Sequence, residues 1–163
     1  MIKNFEEFLN ESINEATTNI DTLGEFKQYL NDNNIEYKEF KSGHAGGVCL
    51  AVKAKTNGVC ALFDFLRNDD KTTEFIYRIE KNGNLLWDEM STRELYNIAG
   101  KLERFCEPRL FMSDIVNTRK NNVKKAEKDY MKKVRSNDGA VSDYDLQNAK
   151  RKLDKVQGVY AQL

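Results

Sequence analysis

Apolar and polar residues alternate between positions 35 and 90 with the two-residue period that is typical of β-strands. Val48, Leu50 and Val52, for example, are apolar at every second position. The run from 59 to 66 is apolar at nearly every position, which favours a central strand buried on both faces. Five segments are therefore expected to form strands: 35–41, 48–54, 59–66, 74–80 and 85–87.

Short turn signals separate these segments, which predicts that consecutive strands pair as an antiparallel meander. Asn57-Gly58 and Asn82-Gly83 predict tight hairpins, because asparagine and glycine both tolerate positive φ. Residues 42–47 contain three glycines and are expected to form a hairpin loop. A phosphate-cradling loop is the alternative for these residues, but the Gly-Lys-Ser/Thr ending of a P-loop is lacking and no helix is predicted after them.

Helices are expected both before and after the strand segments in the sequence. Residues 22–33 carry apolar side chains every three or four positions, and Asp21 or Thr22 can cap that helix. Residues 91–94 read Ser-Thr-Arg-Glu, which is a capping box and predicts a second helix that runs to about Cys106.

The last third of the chain has the pattern of two amphipathic helices. Residues 112–130 place apolar side chains at heptad spacing, and residues 136–139 interrupt that helix. After Ser142, the expected cap, the apolar positions from 146 to 163 alternate steps of three and four. Two such helices joined by a short loop predict an antiparallel hairpin. Pairing of the second seam with another chain is the alternative.

Together these patterns predict an α+β protein. A small antiparallel β-meander of about five strands is flanked by helices and followed by a C-terminal antiparallel helical hairpin. The expected divisions are an N-terminal peptide at 1–16, an α+β domain at 20–107 and a basic helical hairpin at 109–163. A chain of 163 residues has the size of one domain with an appendage.

Charge is distributed unevenly along the chain. Basic and acidic residues balance at 26 each, but residues 1–16 hold one lysine and four glutamates, whereas residues 109–163 hold thirteen basic and seven acidic residues. Basic residues of the first hairpin helix are candidates for contact with nucleic acid or an acidic partner. They are Lys120, Lys124, Lys125, Lys128, Lys132 and Arg135. A solvated, solubilising face is the alternative.

The first sixteen residues form a short amphipathic segment ahead of this body. Phe5, Phe8 and Leu9 fall on one face of a helical period, with polar residues opposite. Because a helix this short is marginal in isolation, it is expected to need a partner surface. An ordinary first helix packed on the body is the alternative.

Residues 3–12 read Lys-Asn-Phe-Glu-Glu-Phe-Leu-Asn-Glu-Ser, and they resemble the capsid-targeting propeptide of head-internal proteins in T-even-type tailed bacteriophages. The shared pattern is a lysine, an aromatic residue, Glu-Phe, an aliphatic residue, any residue, glutamate and a small residue. The resemblance implies that the apolar ridge docks on capsid or scaffold proteins. It also implies that the prohead protease cuts after Glu11 and Glu15, which each end an aliphatic-x-Glu triplet.

The resemblance further implies a non-enzymatic virion protein that is made in the host cytoplasm and packaged in the phage head, where packaged DNA is a further potential partner. Some proteins of the resembled family act on a host protein after injection, so a phage-encoded inhibitor or modulator of a host defence protein is the second hypothesis. No cofactor is expected. The sequence contains no run of eighteen apolar residues, so no membrane span is expected.

A metal-dependent nuclease is the third hypothesis. Such enzymes hold magnesium with an aspartate and a Glu-x-Lys triplet on neighbouring strands, and residues 36–38 read Glu-Tyr-Lys. The candidate carboxylates are Asp64, Asp69, Asp70, Glu74 and Glu80. A solvated rim of acidic side chains is the alternative.

The spacing of the cysteines and the single histidine does not match a known metal-binding or catalytic motif. The chain has three cysteines, Cys49, Cys60 and Cys106, and they are widely separated, so neither a disulfide framework nor a zinc site is expected. We expect reduced thiols that are mostly buried. A cysteine nucleophile would need a base, and His44 is the one histidine available.

Overall fold

The computed structural model describes residues 20, 22–88, 93–94, 102–136 and 142–163. In these ranges the chain forms six strands and four helices. The strands are β1 (Tyr37–Lys41), β2 (Val48–Lys53), β3 (Val59–Phe65), β4 (Glu74–Lys81), β5 (Asn84–Asp88) and β6 (Arg93–Glu94). The helices are α1 (Leu23–Asp32), α2 (Leu102–Cys106), α3 (Pro108–Ser136) and α4 (Tyr144–Gln162).

Strands β1 to β5 form the antiparallel meander that the alternation predicts. Each strand hydrogen-bonds to the next along the chain. Leu50 of β2 lies opposite Phe63 of β3, and Phe63 lies opposite Tyr77 of β4, so all three side chains share one face of the sheet. The predicted α+β class, with five antiparallel strands, flanking helices and a C-terminal helix pair, is confirmed.

That face of the sheet is buried beneath an aromatic cluster. The ring of Phe63 lies 4.7 Å from that of Phe26 in α1 and 5.3 Å from those of Phe75 and Tyr77, measured between centroids. Tyr77 in turn lies 4.7 Å from Phe111 in α3. Burying each such side chain contributes roughly 1.5–3 kcal/mol, so this cluster is the main source of stability in the body.

Helix α1 begins and ends where its sequence predicts. Thr22 is the N-cap of a complete capping box: Glu25 N donates to Thr22 Oγ1 at 3.3 Å, and Thr22 N donates to Glu25 Oε2 at 3.0 Å. At the other end Asn34 adopts a φ of 54°, and Ile35 N donates to the carbonyl of Leu30 at 2.8 Å. This pair of features is a Schellman motif, which satisfies carbonyls that the helix end leaves unpaired.

The two Asn-Gly turns differ. Asn82 and Gly83 both have positive φ, so the predicted tight hairpin between β4 and β5 is confirmed. At 57–58 only Gly58 has positive φ, and a hydrogen bond from Ala54 N to Val59 O closes a wider, four-residue loop. The predicted hairpin turn at Asn57-Gly58 is present, because Val59 N donates to the carbonyl of Thr56 at 3.2 Å, but the loop is longer than two residues. Gly58 also packs against the neighbouring turn, where its carbonyl accepts a hydrogen bond from Asn82 N at 2.8 Å.

The helix predicted from residue 91 to Cys106 is wrong in its first part. Arg93–Glu94 form β6, which pairs with the beginning of β4, and residues 95–101 lie outside the described ranges. Strand β5 pairs with β4 only over residues 78–81 of that strand. Because the first residues of β4 would otherwise keep an unpaired edge, pairing with β6 satisfies backbone groups that a helix at 93–94 would leave open.

Helices α3 and α4 form the predicted antiparallel hairpin. Near one end the guanidinium of Arg109 lies 5.3 Å from the ring centroid of Tyr160, and further along α3 Glu127 pairs with Lys150 at 3.6 Å. Residue numbers therefore rise along α3 as they fall along α4. Helix α4 begins one residue later than predicted: Asp143 is its N-cap residue.

The base of the hairpin shares the core of the sheet. Phe111, Met112 and Val116 of α3 and Val156 and Val159 of α4 are buried in the same cluster as the sheet residues. We call residues 117–136 and 142–152 the distal hairpin. In this part Val123 is the one buried side chain that the structure describes. The distal hairpin is therefore held by its base rather than by a core of its own.

Candidate functional site

The basic residues predicted to contact a partner lie together on one flank of α3. All six are exposed. At about 100° per residue they fall within an arc of about 140°, and at 1.5 Å per residue they extend over about 22 Å. We call this surface the basic flank. It consists of Lys120, Lys124, Lys125, Lys128, Lys132 and Arg135.

The charge of the hairpin is concentrated in its unburied part. Residues 117–136 contain eight basic and two acidic residues, whereas the base, residues 108–116 and 153–163, contains two of each. Of the two acidic residues, Glu127 pairs with Lys150 of α4, and Asp129 falls outside the arc of the basic flank by its helical phase. Within the described residues, no member of the basic flank forms an ion pair.

Four lysines of the basic flank repeat every fourth residue. Lys120, Lys124, Lys128 and Lys132 form three successive pairs of like charge at the i, i+4 spacing. Each such pair destabilises an isolated helix by about 0.2–0.5 kcal/mol. A face that served solubility alone could mix positive and negative side chains and so avoid this repulsion. The row of lysines is therefore consistent with a surface that binds a negatively charged partner.

A groove of about 650 Å³ lies between the two helices of the distal hairpin. Ala126, Tyr130 and Leu146 line it, together with charged residues that include Lys125, Asp129, Lys132 and Lys133. The two helices do not pack closely here, because Ala126 is small and Lys133 occupies a position that an apolar residue would fill in an unbroken seam. Tyr130 thus faces the groove, which it shares with Lys125 and Lys132 of the basic flank.

A second polar cluster lies on the sheet face opposite the aromatic core, around Asp64. This residue of β3 is 2% exposed. Its Oδ1 accepts a hydrogen bond from Ser42 Oγ at 2.5 Å, and its Oδ2 lies 3.4 Å from an Arg78 guanidinium nitrogen. His44 Nε2 lies 3.9 Å from the same oxygen. Arg78 also approaches Asp88 at 3.6 Å, so two carboxylates flank one guanidinium.

The Asp64 cluster fixes the loop that the sequence could offer for phosphate binding. His44 N donates to Ser42 Oγ at 2.9 Å, and Asn68 N donates to the carbonyl of Gly46 at 2.7 Å. A side chain at Gly47 would lie 2.5 Å from the carbonyl oxygen of Phe65, so only glycine fits there. These bonds close residues 42–47 into a hairpin loop between β1 and β2, as predicted.

Cys49 lies beside Asp64 but is not an activated thiol. The two residues are cross-strand partners of β2 and β3. Burial and then the charge of Asp64 raise the pKa of the Cys49 thiol to about 11, although Arg78 opposes the shift. Burial, assisted by Glu107 and Glu103, raises the pKa of Cys106 to about 12. At neutral pH both groups are therefore thiols, the less nucleophilic form. All three cysteines are free.

The carboxylates of the nuclease hypothesis do not converge in the structure. Asp64 is held by Arg78, and Glu36 lies 3.5 Å from Lys53 in an exposed ion pair. Glu80 lies opposite Cys60, four residues along β4 from the partner of Asp64. In the ranges that the structure describes, no three histidine, cysteine, aspartate or glutamate side chains are grouped so that they could hold a metal ion.

Sequence reasoning missed the pairing of Asp64 with Arg78. The available signal was an aspartate in the middle of an apolar central strand, because a buried carboxylate requires a cation or several hydrogen-bond donors. Its partner could not be read from the sequence, since Arg78 appears there as one of several charged residues on the half-exposed face of β4.

The residues predicted for capsid targeting, Phe5, Phe8, Leu9, Glu11 and Glu15, lie outside the described residues. None of the helices that the structure describes is both long and apolar enough to span a bilayer. Comparisons of the chain with protein-family models, with curated proteins and with solved structures found no match.

Proposed function

We propose that this chain is a head-internal virion protein of a tailed phage, that it has no enzymatic activity, and that residues 1–15 direct it into the assembling capsid. The observation that carries the proposal is the N-terminal sequence. An apolar ridge ends at Leu9, which also begins the first of two tandem aliphatic-x-Glu triplets, and Ser12 and Ala16 supply a small residue after each triplet.

The proposed targeting step is a weak and reversible contact. Phe5, Phe8 and Leu9 would bury their side chains on a capsid or scaffold protein, which contributes roughly 1.5–3 kcal/mol for each residue. Ordering the short helix and immobilising the chain offset much of this gain. Such a contact suits assembly, in which a high local concentration of shell or scaffold subunits compensates for low affinity.

Cleavage would also change the charge of the protein. Residues 1–15 carry a net charge of −3, so cleavage after Glu15 leaves a chain of +3 whose basic residues are concentrated on the hairpin. A positively charged product is suited to a compartment filled with DNA. The exposed basic flank favours a body that acts by binding a negatively charged partner.

Intact-mass measurement on protein from purified virions tests the proposal. We expect a chain that begins at Ser12 or Ala16. Absence of the protein from virions would contradict packaging, and an uncut chain in virions would contradict cleavage. Double substitution Phe5→Ala with Phe8→Ala should exclude the protein from heads, whereas Asn10→Ala, at a position where the pattern accepts any residue, should leave packaging and cleavage unchanged.

A further inference from the structure

We infer that the basic flank of α3 binds the phosphate backbone of double-stranded DNA, without preference for base sequence. This inference goes beyond the proposed packaging and depends on different residues. Packaging is argued from residues 1–16, whereas DNA binding is argued from the charge and geometry of residues 120–135. Either can therefore fail without the other.

The cations of the basic flank extend over a length along which a DNA duplex offers many phosphates. The basic flank presents six cations over about 22 Å of helix. A DNA duplex carries one negative charge per about 1.7 Å of its axis, so about thirteen phosphate charges lie along the same length. Long lysine side chains can reach phosphates at many positions along such a surface, so no particular alignment with the bases is required.

The cations of the basic flank form no ion pair within the described part of the chain, although Asp129 stands at the i, i+4 spacing from Lys125. Glu127 is engaged with Lys150 of α4. The repeat of like charges at every fourth residue persists because the buried base of the hairpin holds the helix. A polyanion laid along α3 would relieve this repulsion.

The residue types of the basic flank favour DNA over an acidic protein as its partner. The basic flank contains five lysines, one arginine and no aromatic residue. Stable protein interfaces depend on tryptophan, tyrosine and arginine anchors seated in pockets, and they are depleted in lysine. Lysine binds phosphate as a point charge, without the fixed two-bond geometry that arginine provides. The composition of the surface therefore favours the DNA backbone.

Fluorescence anisotropy with the full chain and a fluorescein-labelled 20-base-pair duplex of mixed sequence tests the inference. Six phosphate contacts predict a slope of about −5 in a plot of log binding constant against log salt concentration, and about a 10³-fold loss of affinity between 50 and 200 mM salt. A second duplex of unrelated sequence should bind with the same affinity.

Two double variants with equal changes of net charge locate the surface. Lys124→Gln with Lys128→Gln should weaken binding by roughly tenfold or more and reduce the salt slope by about two. Lys152→Gln with Lys155→Gln, at exposed positions of α4 outside the basic flank, should change affinity by less than about twofold. Circular dichroism of both variants should match the unsubstituted protein, because all four side chains are exposed.

Three results would overturn the inference. The first is no binding of either duplex at 50 mM salt. The second is an equal loss of affinity in both double variants, which would mean diffuse attraction to the whole hairpin. The third is binding of polyglutamate without binding of DNA, which would identify the surface as one for an acidic protein. None of these results depends on whether residues 1–16 are cleaved in virions.

Discussion

The sheet body and the distal hairpin are held together in opposite ways. In the body, aromatic rings such as Phe63 and Tyr77 are fully buried and contact one another across the sheet and its helices. In the distal hairpin, Val123 is the one buried side chain that the structure describes, and like charges follow one another along α3. Stability is therefore concentrated in one region and surface charge in the other.

This difference indicates how a helix can carry a repulsive row of lysines. The lower turns of α3 place Phe111 and Met112 in the core of the sheet, so the helix is nucleated and oriented by the body. Since nucleation is the costly step in helix formation, the upper turns can tolerate residues that would destabilise an isolated helix. The body thus supports a surface that could not be stable alone.

Truncating the aromatic cluster should have the largest effect. Phe63→Ala removes a ring that contacts Phe26, Phe75 and Tyr77, and we expect the free energy of unfolding to fall by about 3–5 kcal/mol. Tyr144→Ala is the matched control, because this ring is 66% exposed on the hairpin and should change stability by less than about 0.5 kcal/mol. Urea denaturation measures both. Similar losses in the two variants would refute the division between the regions.

Breaking the Asp64 cluster should have an intermediate effect. Asp64→Asn removes the buried carboxylate charge beside Arg78 and weakens the hydrogen bond from Ser42. Because Arg78 is partly exposed and keeps Asp88 as a partner, we expect a loss of about 2 kcal/mol in urea denaturation rather than the larger cost of an isolated buried charge. Asp129→Asn makes the same chemical change on the exposed hairpin and should be nearly neutral. An Asp64 variant as stable as the Asp129 variant would show that the cluster contributes no stability.

Reversing single charges on the hairpin should have the smallest effect, and its sign should depend on position. Lys128→Glu replaces two like-charge pairs, with Lys124 and Lys132, by pairs of opposite charge, so we expect stability to rise by about 0.5–1 kcal/mol. Lys133→Glu makes the same change in charge but opposes Asp129 at the i, i+4 spacing, so stability should fall by a few tenths of a kcal/mol. Thermal unfolding of both variants in low salt measures the difference. A shift of the same sign in both would contradict the account of repulsion along the basic flank.

The sequence predicted most of the sheet because strand pattern and turn chemistry are local properties. The alternation at Val48, Leu50 and Val52 appears directly as buried positions of β2, and Thr22 caps α1 as its spacing with Glu25 predicts. The sequence-based prediction was wrong at Arg93–Glu94, where pairing with the open edge of β4 gives a strand instead of a helix. A capping box is a local preference, and pairing between distant strands can override it.

The basic flank, like the sheet, could be predicted in large part from the sequence. Helical phase alone placed the six members of the basic flank together, because residues four apart lie on one side of a helix. The pairing of Asp64 with Arg78 was not predictable, since it depends on the register between β3 and β4. The finding that the described residues give the basic flank no ion pair also required the structure, because acidic residues on α4 could have faced these lysines.

The contact between Gly58 and Asn82 has a consequence for protein engineering. A side chain added at Gly58 would lie 2.1 Å from the Asn82 side-chain oxygen, and the backbone of the two loops is hydrogen-bonded. Exposed turns are ordinarily the favoured places for inserting tags, reporters or new chain ends. Here the tips of two neighbouring hairpins behave as one joined corner, so an insertion in either tip would separate both, and such modifications are better directed to another surface.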